Sequence, residues 1–335
     1  MQAPGSAFGN YNYYMLAKAD GKGRGAFALT NLKAGTKILV DKPLMVIDKK
    51  HGFDAADVGA EYQKLSSAQK EAFDQARVVF SNGREESTSD ASAFDKFNTN
   101  KFSIDGKDKW GCFAHASRFN HSCLPNCHMS ATANEGMQCH VIRDVAAGEE
   151  LTFTYFENLL YLPTNQRRQF MAAKFMLLAG GCLCKLCTNP GKEQNESDAR
   201  RLQMRDQVYK WSKCDITEGY GPPFSQAAVN GAIGYERCKQ DRIVNPAQDF
   251  VDLAEEEGIV TSWWVRWACL WLAELENEKM GPDLRRLRRF TMRTQELLHN
   301  CKGLQPADDH DRRFAARIDR LKANLQQLEA AQSRS

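Results

Sequence analysis

Three cysteines stand within six residues, in the run Cys182-Leu183-Cys184-Lys185-Leu186-Cys187, and this spacing constrains the fold more than any other stretch. Zn²⁺ takes four ligands in a tetrahedron, so the cluster is one ligand short of a structural site. Lys185 cannot serve, and no histidine follows nearby. A cysteine from elsewhere in the chain must therefore return, or the three are ordinary thiols in a turn.

The background is that of a soluble globular protein, with 42% hydrophobic and 26% charged residues. A chain of 335 residues has room for two domains of ordinary size. Lys and Arg number 45 and Asp and Glu 42, a net charge of 45 − 42 = +3, too small to call for nucleic acid. The first residues lack the basic-then-apolar pattern of a secretion signal. The most apolar windows, 175–184 and 263–273, fall short of the ~18–20 residues a membrane helix needs. Eleven cysteines in such a chain point to a reducing compartment, and the expectation is a nuclear or cytoplasmic protein.

Periodicity divides the chain further. Ile38–Val40, Leu44–Ile47, Gln138–Ile142 and Leu151–Tyr155 read as strands, with turns at Gly35 and Gly148. Residues 52–80 carry apolar positions at helical spacing, and Ser81–Asp95 reads as a polar loop. A helix is expected from Thr164 to Leu177, with Arg167 and Arg168 on an exposed face. Past Asn189-Pro190-Gly191 the pattern is helical, roughly over 194–213, 247–257, 261–279, 282–300 and 308–330, with no strong repeat. Trp263, Trp267, Trp271 and Leu275 form one stripe, which reads as core. Arg285, Arg286, Arg288, Arg289 and Arg293 lie opposite Leu284, Leu287, Thr291 and Leu298. They read as a solvated face, with a dock for acidic protein segments as the alternative.

Three further segments carry chemistry. They are Arg118-Phe119-Asn120-His121-Ser122-Cys123-Leu124-Pro125-Asn126-Cys127, then Gly148–Tyr155, and the early glycine run Gly21-Lys22-Gly23-Arg24-Gly25. Taken in order with the cysteine triad, they resemble the SET-domain protein lysine methyltransferases, over about residues 9–188. The resemblance is to the SET–MYND-like branch with a cysteine-rich post-SET segment. Residues 48–98 contain no cysteine, so the zinc-binding MYND module of that branch is missing.

The resemblance implies an α+β, β-rich SET fold, knot-like and built of several small sheets. It implies a SET domain over 9–160 with a helical insertion at about 52–97, a post-SET zinc segment over 161–190, and a helical C-terminal domain over 191–335. It makes Cys123 the fourth zinc ligand beside Cys182, Cys184 and Cys187, with Cys127 the alternative. It places S-adenosylmethionine against Lys22, Arg24, Asn100, Asn120, His121 and Tyr155, and gives Tyr155 the catalytic role. Glu149 and Glu150 read as turn and surface residues. The implied activity is protein-lysine N-methylation, with a histone or another lysine-presenting protein as partner and neither nucleic acid nor membrane. One departure bears on this. Gly180 and Leu178 stand where the family keeps aromatic residues, with Phe175 a turn away as a substitute. One lost adenine stack costs about 1–3 kcal/mol, by analogy with bases stacked on aromatic side chains. That leaves a second reading open, a catalytically weak SET scaffold that binds protein partners through its helical domain.

Overall fold

The computed structural model describes residues 12–48, 52–76, 91–104, 109–132, 136–175, 181–212, 244–259, 262–300 and 309–334. They fall into two compact units. The first holds those up to Phe153 together with Arg167–Thr188; the second holds Thr154–Gln166, those between Asn189 and Asn300, and those from Asp309 onward.

The first unit carries ten strands: β1 (Tyr14–Ala19), β2 (Gly23–Ala28), β3 (Lys37–Asp41), β4 (Pro43–Asp48), β5 (Lys101–Ile104), β6 (Lys109–Phe113), β7 (Asn120–His121), β8 (Cys127–Thr132), β9 (Gly136–Val141) and β10 (Glu150–Phe153). They form three small sheets, ordered β1-β2-β10-β7, β3-β9-β8 and β4-β6-β5. The β1–β2 hairpin turns through Gly21 and Gly23, at φ 68° and 76°, a region that residues with a Cβ rarely enter. All pairings are antiparallel except β7 against β10, where Asn120 faces Thr152 and His121 faces Phe153 in parallel. Beyond β7 the chain stays stitched to β10, with Ser122 N donating to Phe153 O at 3.0 Å and Asn126 N to Thr152 O at 3.2 Å. Asn126, 1% exposed, adds side-chain bonds to Thr152 N at 2.7 Å and Glu150 O at 2.8 Å. A polar run unfit for a strand or helix core is thus held by its own amides.

Between β4 and β5 comes the helical insertion, α1 (Ala55–Gln63), α2 (Ser67–Asp74) and α3 (Ala93–Asn100). Each helix opens on a capping side chain, Asp54, Ser66 and Ser92 respectively. The last corrects the sequence reading: residues 93–95 belong to a helix, not to a loop, because Ser92 Oγ accepts from Asp95 N at 3.1 Å. Val58, Phe73 and Phe97 of these helices pack with Leu44, Met45, Ile47 and Cys112 into one core, which seats the insertion on the third sheet.

The helices then run α4 (Thr164–Phe175), α5 (Lys185–Thr188), α6 (Lys192–Ser212), α7 (Val244–Glu257), α8 (Trp263–Asn277), α9 (Leu284–Asn300) and α10 (Asp309–Gln332). The core of the second unit is aromatic. Trp211 meets Trp271 edge-on at 4.9 Å and Trp267 meets Phe314 at 5.1 Å. Trp267 and Trp271 are thus core, with Trp264 buried beside them; the side chain of Trp263 lies outside those described. On α9 the buried face is Leu287, Phe290, Thr291, Thr294 and Leu297. Three of its arginines are committed to neighbouring carboxylates: Arg288 to Glu329 at 2.6 Å, Arg289 to Asp252 at 2.6 Å and Arg293 to Glu296 at 2.8 Å. Arg201 and Glu257, 0% and 5% exposed, form a buried ion pair at 2.9 Å. Arg201 also donates to Leu160 O at 2.6 Å, and Ser197 and Arg200 complete the carboxylate's shell. No helix among the described residues is long and apolar enough to cross a membrane.

Candidate metal and cofactor site

Four thiols converge in the first unit. Cys123, in the turn between β7 and β8, meets Cys182, Cys184 and Cys187, and all four sulfurs lie within 4.8 Å of one another. Cys123 Sγ stands 3.6 Å from that of Cys182 and 3.7 Å from that of Cys187. A tetrahedral site with Zn–S bonds of about 2.3 Å has edges of about 3.8 Å, which these two separations match. Cys127 is not part of the cluster; it opens β8 and hydrogen-bonds Cys139 within the second sheet. Hydrogen bonding with the neighbouring thiols, Cys123 first and then Cys182, lowers the pKa of Cys184 and Cys187 and favours the thiolate a metal requires.

Two side chains close over the sulfurs. His121, 5% exposed, brings Nε2 to 3.2 Å from Cys123 Sγ. Arg167, wholly buried, points Nε–H at Cys187 Sγ from 3.4 Å. This corrects the expectation of an exposed Arg167: helical spacing puts it on a polar face, but that face turns toward sulfur rather than water. Gly181, at φ +66°, lets the chain pass Arg168, whose carbonyl oxygen would stand 2.1 Å from a Cβ there. The backbone bend that delivers Cys182 therefore needs glycine.

One residue back from His121, Asn120 joins a polar cluster at the glycine-rich hairpin. Its Nδ2 donates to Arg24 O at 3.1 Å and to Glu150 Oε1 at 2.8 Å, while Glu150 Oε2 pairs with Lys22 Nζ. Glu150 is half-buried and central here, which corrects its reading as a surface residue; Glu149 beside it accepts from Arg143 at 2.7 Å. A carboxylate on β10 that binds Asn120 of β7 and Lys22 of the β1–β2 turn leaves no mark in local sequence.

Arg24 contributes its backbone to this cluster and is exposed. Asn100 ends α3, and its Nδ2 donates to Lys96 O at 2.8 Å, closing that helix. Tyr155 lies two residues past the end of β10, half-buried, in the second unit. Leu178 and Gly180 lie outside the described residues, as does the side chain of Phe175.

Residues 23–156 match the family described as "SET domain". This chain carries a SET domain. Over 193 residues it is 28% identical to histone-lysine N-methyltransferase set5 of Schizosaccharomyces pombe, covering 57% of this chain and 56% of that protein. Over 168 residues it is 28% identical to histone-lysine N-methyltransferase SMYD3 of Homo sapiens, covering 46% and 37%. A SET and MYND domain-containing protein of Dictyostelium discoideum is 32% identical over 78 residues, covering 23% and 14%. The chain thus spans little more than half of the first relative and less of the others. Its SET domain is related to those of the SET–MYND proteins, and the four-cysteine cluster able to hold a metal lies beside it.

Proposed function

We propose that this chain is an S-adenosylmethionine-dependent protein-lysine N-methyltransferase, acting on a histone or another lysine-presenting protein, with Zn²⁺ held by Cys123, Cys182, Cys184 and Cys187. The observation that carries the proposal is the juxtaposition within one unit. Asn120 and His121 lie side by side on β7, the first facing the glycine hairpin and the second the four sulfurs. Asn120 Oδ1 has no hydrogen-bond partner among the described residues, which suits a ligand-facing acceptor. On this reading Lys22, Arg24, Asn100, Asn120, His121 and Tyr155 surround the cofactor, and 9–160, 161–190 and 191–335 are the SET, post-SET and helical segments.

S-adenosylmethionine supplies an electrophilic methyl group on a sulfonium. The residues of this chain must bring a neutral amine in line with it. A free lysine has a pKa of ~10.4, so only about one amine in a few thousand is nucleophilic at pH 7. An apolar surround disfavours the ammonium and raises that fraction. Alignment at contact distance supplies most of the rest. The Tyr155 hydroxyl orients the amine, and oxygen acceptors stabilise the polarised methyl through weak C–H···O contacts. Cys123, Cys182, Cys184 and Cys187 would hold a metal that takes no part in the transfer and would tie the segment around Cys182 to the turn after β7.

Calorimetry tests the cofactor half of this reading. The protein should bind S-adenosylmethionine and S-adenosylhomocysteine, and Asn120→Ala should weaken both by about tenfold or more. Its melting temperature without ligand should hardly move, since Asn120 is half-buried. Unchanged affinity would remove Asn120 from the site.

A further inference from the structure

Asn120 presents its amide with a fixed polarity. Both N–H bonds of Nδ2 are used, toward Arg24 O at 3.1 Å and Glu150 Oε1 at 2.8 Å. A carbonyl and a carboxylate only accept, so nitrogen must face them and Oδ1 must face away. Glu150 does a second thing with its other oxygen, which neutralises Lys22. Gly25 is what lets these groups meet. A Cβ there would stand 2.6 Å from Glu150 Oε1 and 2.8 Å from Asn120 Nδ2, so any side chain would displace one or the other. The arrangement is therefore built around the Glu150–Asn120 bond.

We propose that Glu150 is a positioning residue that sets the polarity of ligand recognition, holding Asn120 so that its open oxygen accepts from the α-ammonium of an amino-acid-bearing nucleoside. The proposal rests on the cofactor reading above and deepens it. Without the carboxylate the amide keeps one tether, Arg24 O, and can turn its NH₂ group outward, where it repels an ammonium. Lys22, released from its counter-charge, adds a second repulsion of the same sign. Glu150 thus acts twice toward one end, by hydrogen bond and by charge, without touching the ligand.

The test measures a ratio rather than an affinity. S-adenosylhomocysteine and its analogue lacking the α-amino group are titrated by calorimetry into the full chain. Wild type should prefer the amino form by about tenfold or more, the worth of one hydrogen bond to a charged group. Glu150→Ala should bring the ratio close to one while keeping the affinity for the deaminated analogue. Glu150→Gln should restore much of the preference, because a glutamine oxygen still accepts from Nδ2. Asn120→Ala, which removes the acceptor itself, should collapse the ratio as Glu150→Ala does. A preserved ratio in Glu150→Ala, or a parallel loss of both ligands, would overturn the proposal and leave Glu150 a structural residue. Binding of neither nucleoside by wild type would refute the cofactor reading itself, and this proposal with it.

Discussion

Cys123→Ser is expected to cost the protein its zinc. Purified wild type should carry close to one Zn²⁺ per chain, in the single four-cysteine cluster among the described residues. Removing a hydrogen-bond partner of a metal ligand typically lowers metal affinity about 10–100-fold, so removing a ligand should exceed that. Cys123 is also the only member of the four outside the 182–187 run, and the other three cannot complete a tetrahedron alone. Its loss therefore unties two segments almost sixty residues apart in sequence, and binding free energy at such a site is folding free energy. Elemental analysis of the variant should find zinc well below stoichiometric, and limited proteolysis should cut near Cys182 before other points. Cys112→Ser, at a buried thiol in the core of the first unit, should keep its zinc. Full occupancy in Cys123→Ser would mean that the cluster is not the metal site.

Glu257→Ala should strongly destabilise the second unit. Burial alone would raise the Glu257 pKa, but Arg201, Ser197 and Arg200 together hold it below the ordinary carboxylate range. Removing the carboxylate takes from Arg201, wholly buried, the acid it pairs with at 2.9 Å. Breaking one side of such a pair costs about 3–5 kcal/mol. For a unit of this size that lowers the melting temperature by about 10 °C. Because the folded pKa is depressed, the stabilisation is complete above the unfolded pKa and is lost as pH falls through the folded one. Thermal unfolding of wild type and variant at neutral pH measures the difference. Acidification should narrow it, whereas equal melting temperatures at neutral pH would show that the pair contributes nothing.

What was legible in the sequence was whatever local spacing encodes. The cysteine triad announced a metal and the lack of its fourth ligand, and the resemblance supplied Cys123, which the structure brings to the other three. The five late helices and four of the ten strands, β3, β4, β9 and β10, follow from periodicity, since a buried face leaves a repeat of 3.6 or 2. The chemistry between distant strands was not legible. Glu150 sits in a Gly-Glu-Glu turn that looks like surface, and only pairing of β10 with β2 and β7 brings it to Lys22 and Asn120. Arg167 follows the same logic: its spacing marks a polar face, but what that face meets is a sulfur supplied by residue 187. Helix α3 was hidden for a third reason. Its start depends on one capping serine inside a run rich in polar residues, so composition masked the cap.

The central claim, lysine methylation by this SET domain, is tested most directly by transfer of labelled methyl from S-adenosylmethionine to a mixture of cellular proteins and histones. Wild type should place label on lysine side chains. Tyr155→Phe removes one hydroxyl from a half-buried ring and should cut transfer by about a hundredfold or more, in the range typical of a positioned catalytic group, with binding of S-adenosylhomocysteine retained. Label on lysine that depends on Tyr155 is the expected result. A protein that binds the cofactor yet transfers no methyl to any lysine, or one whose Tyr155→Phe variant transfers as fast as wild type, would contradict it.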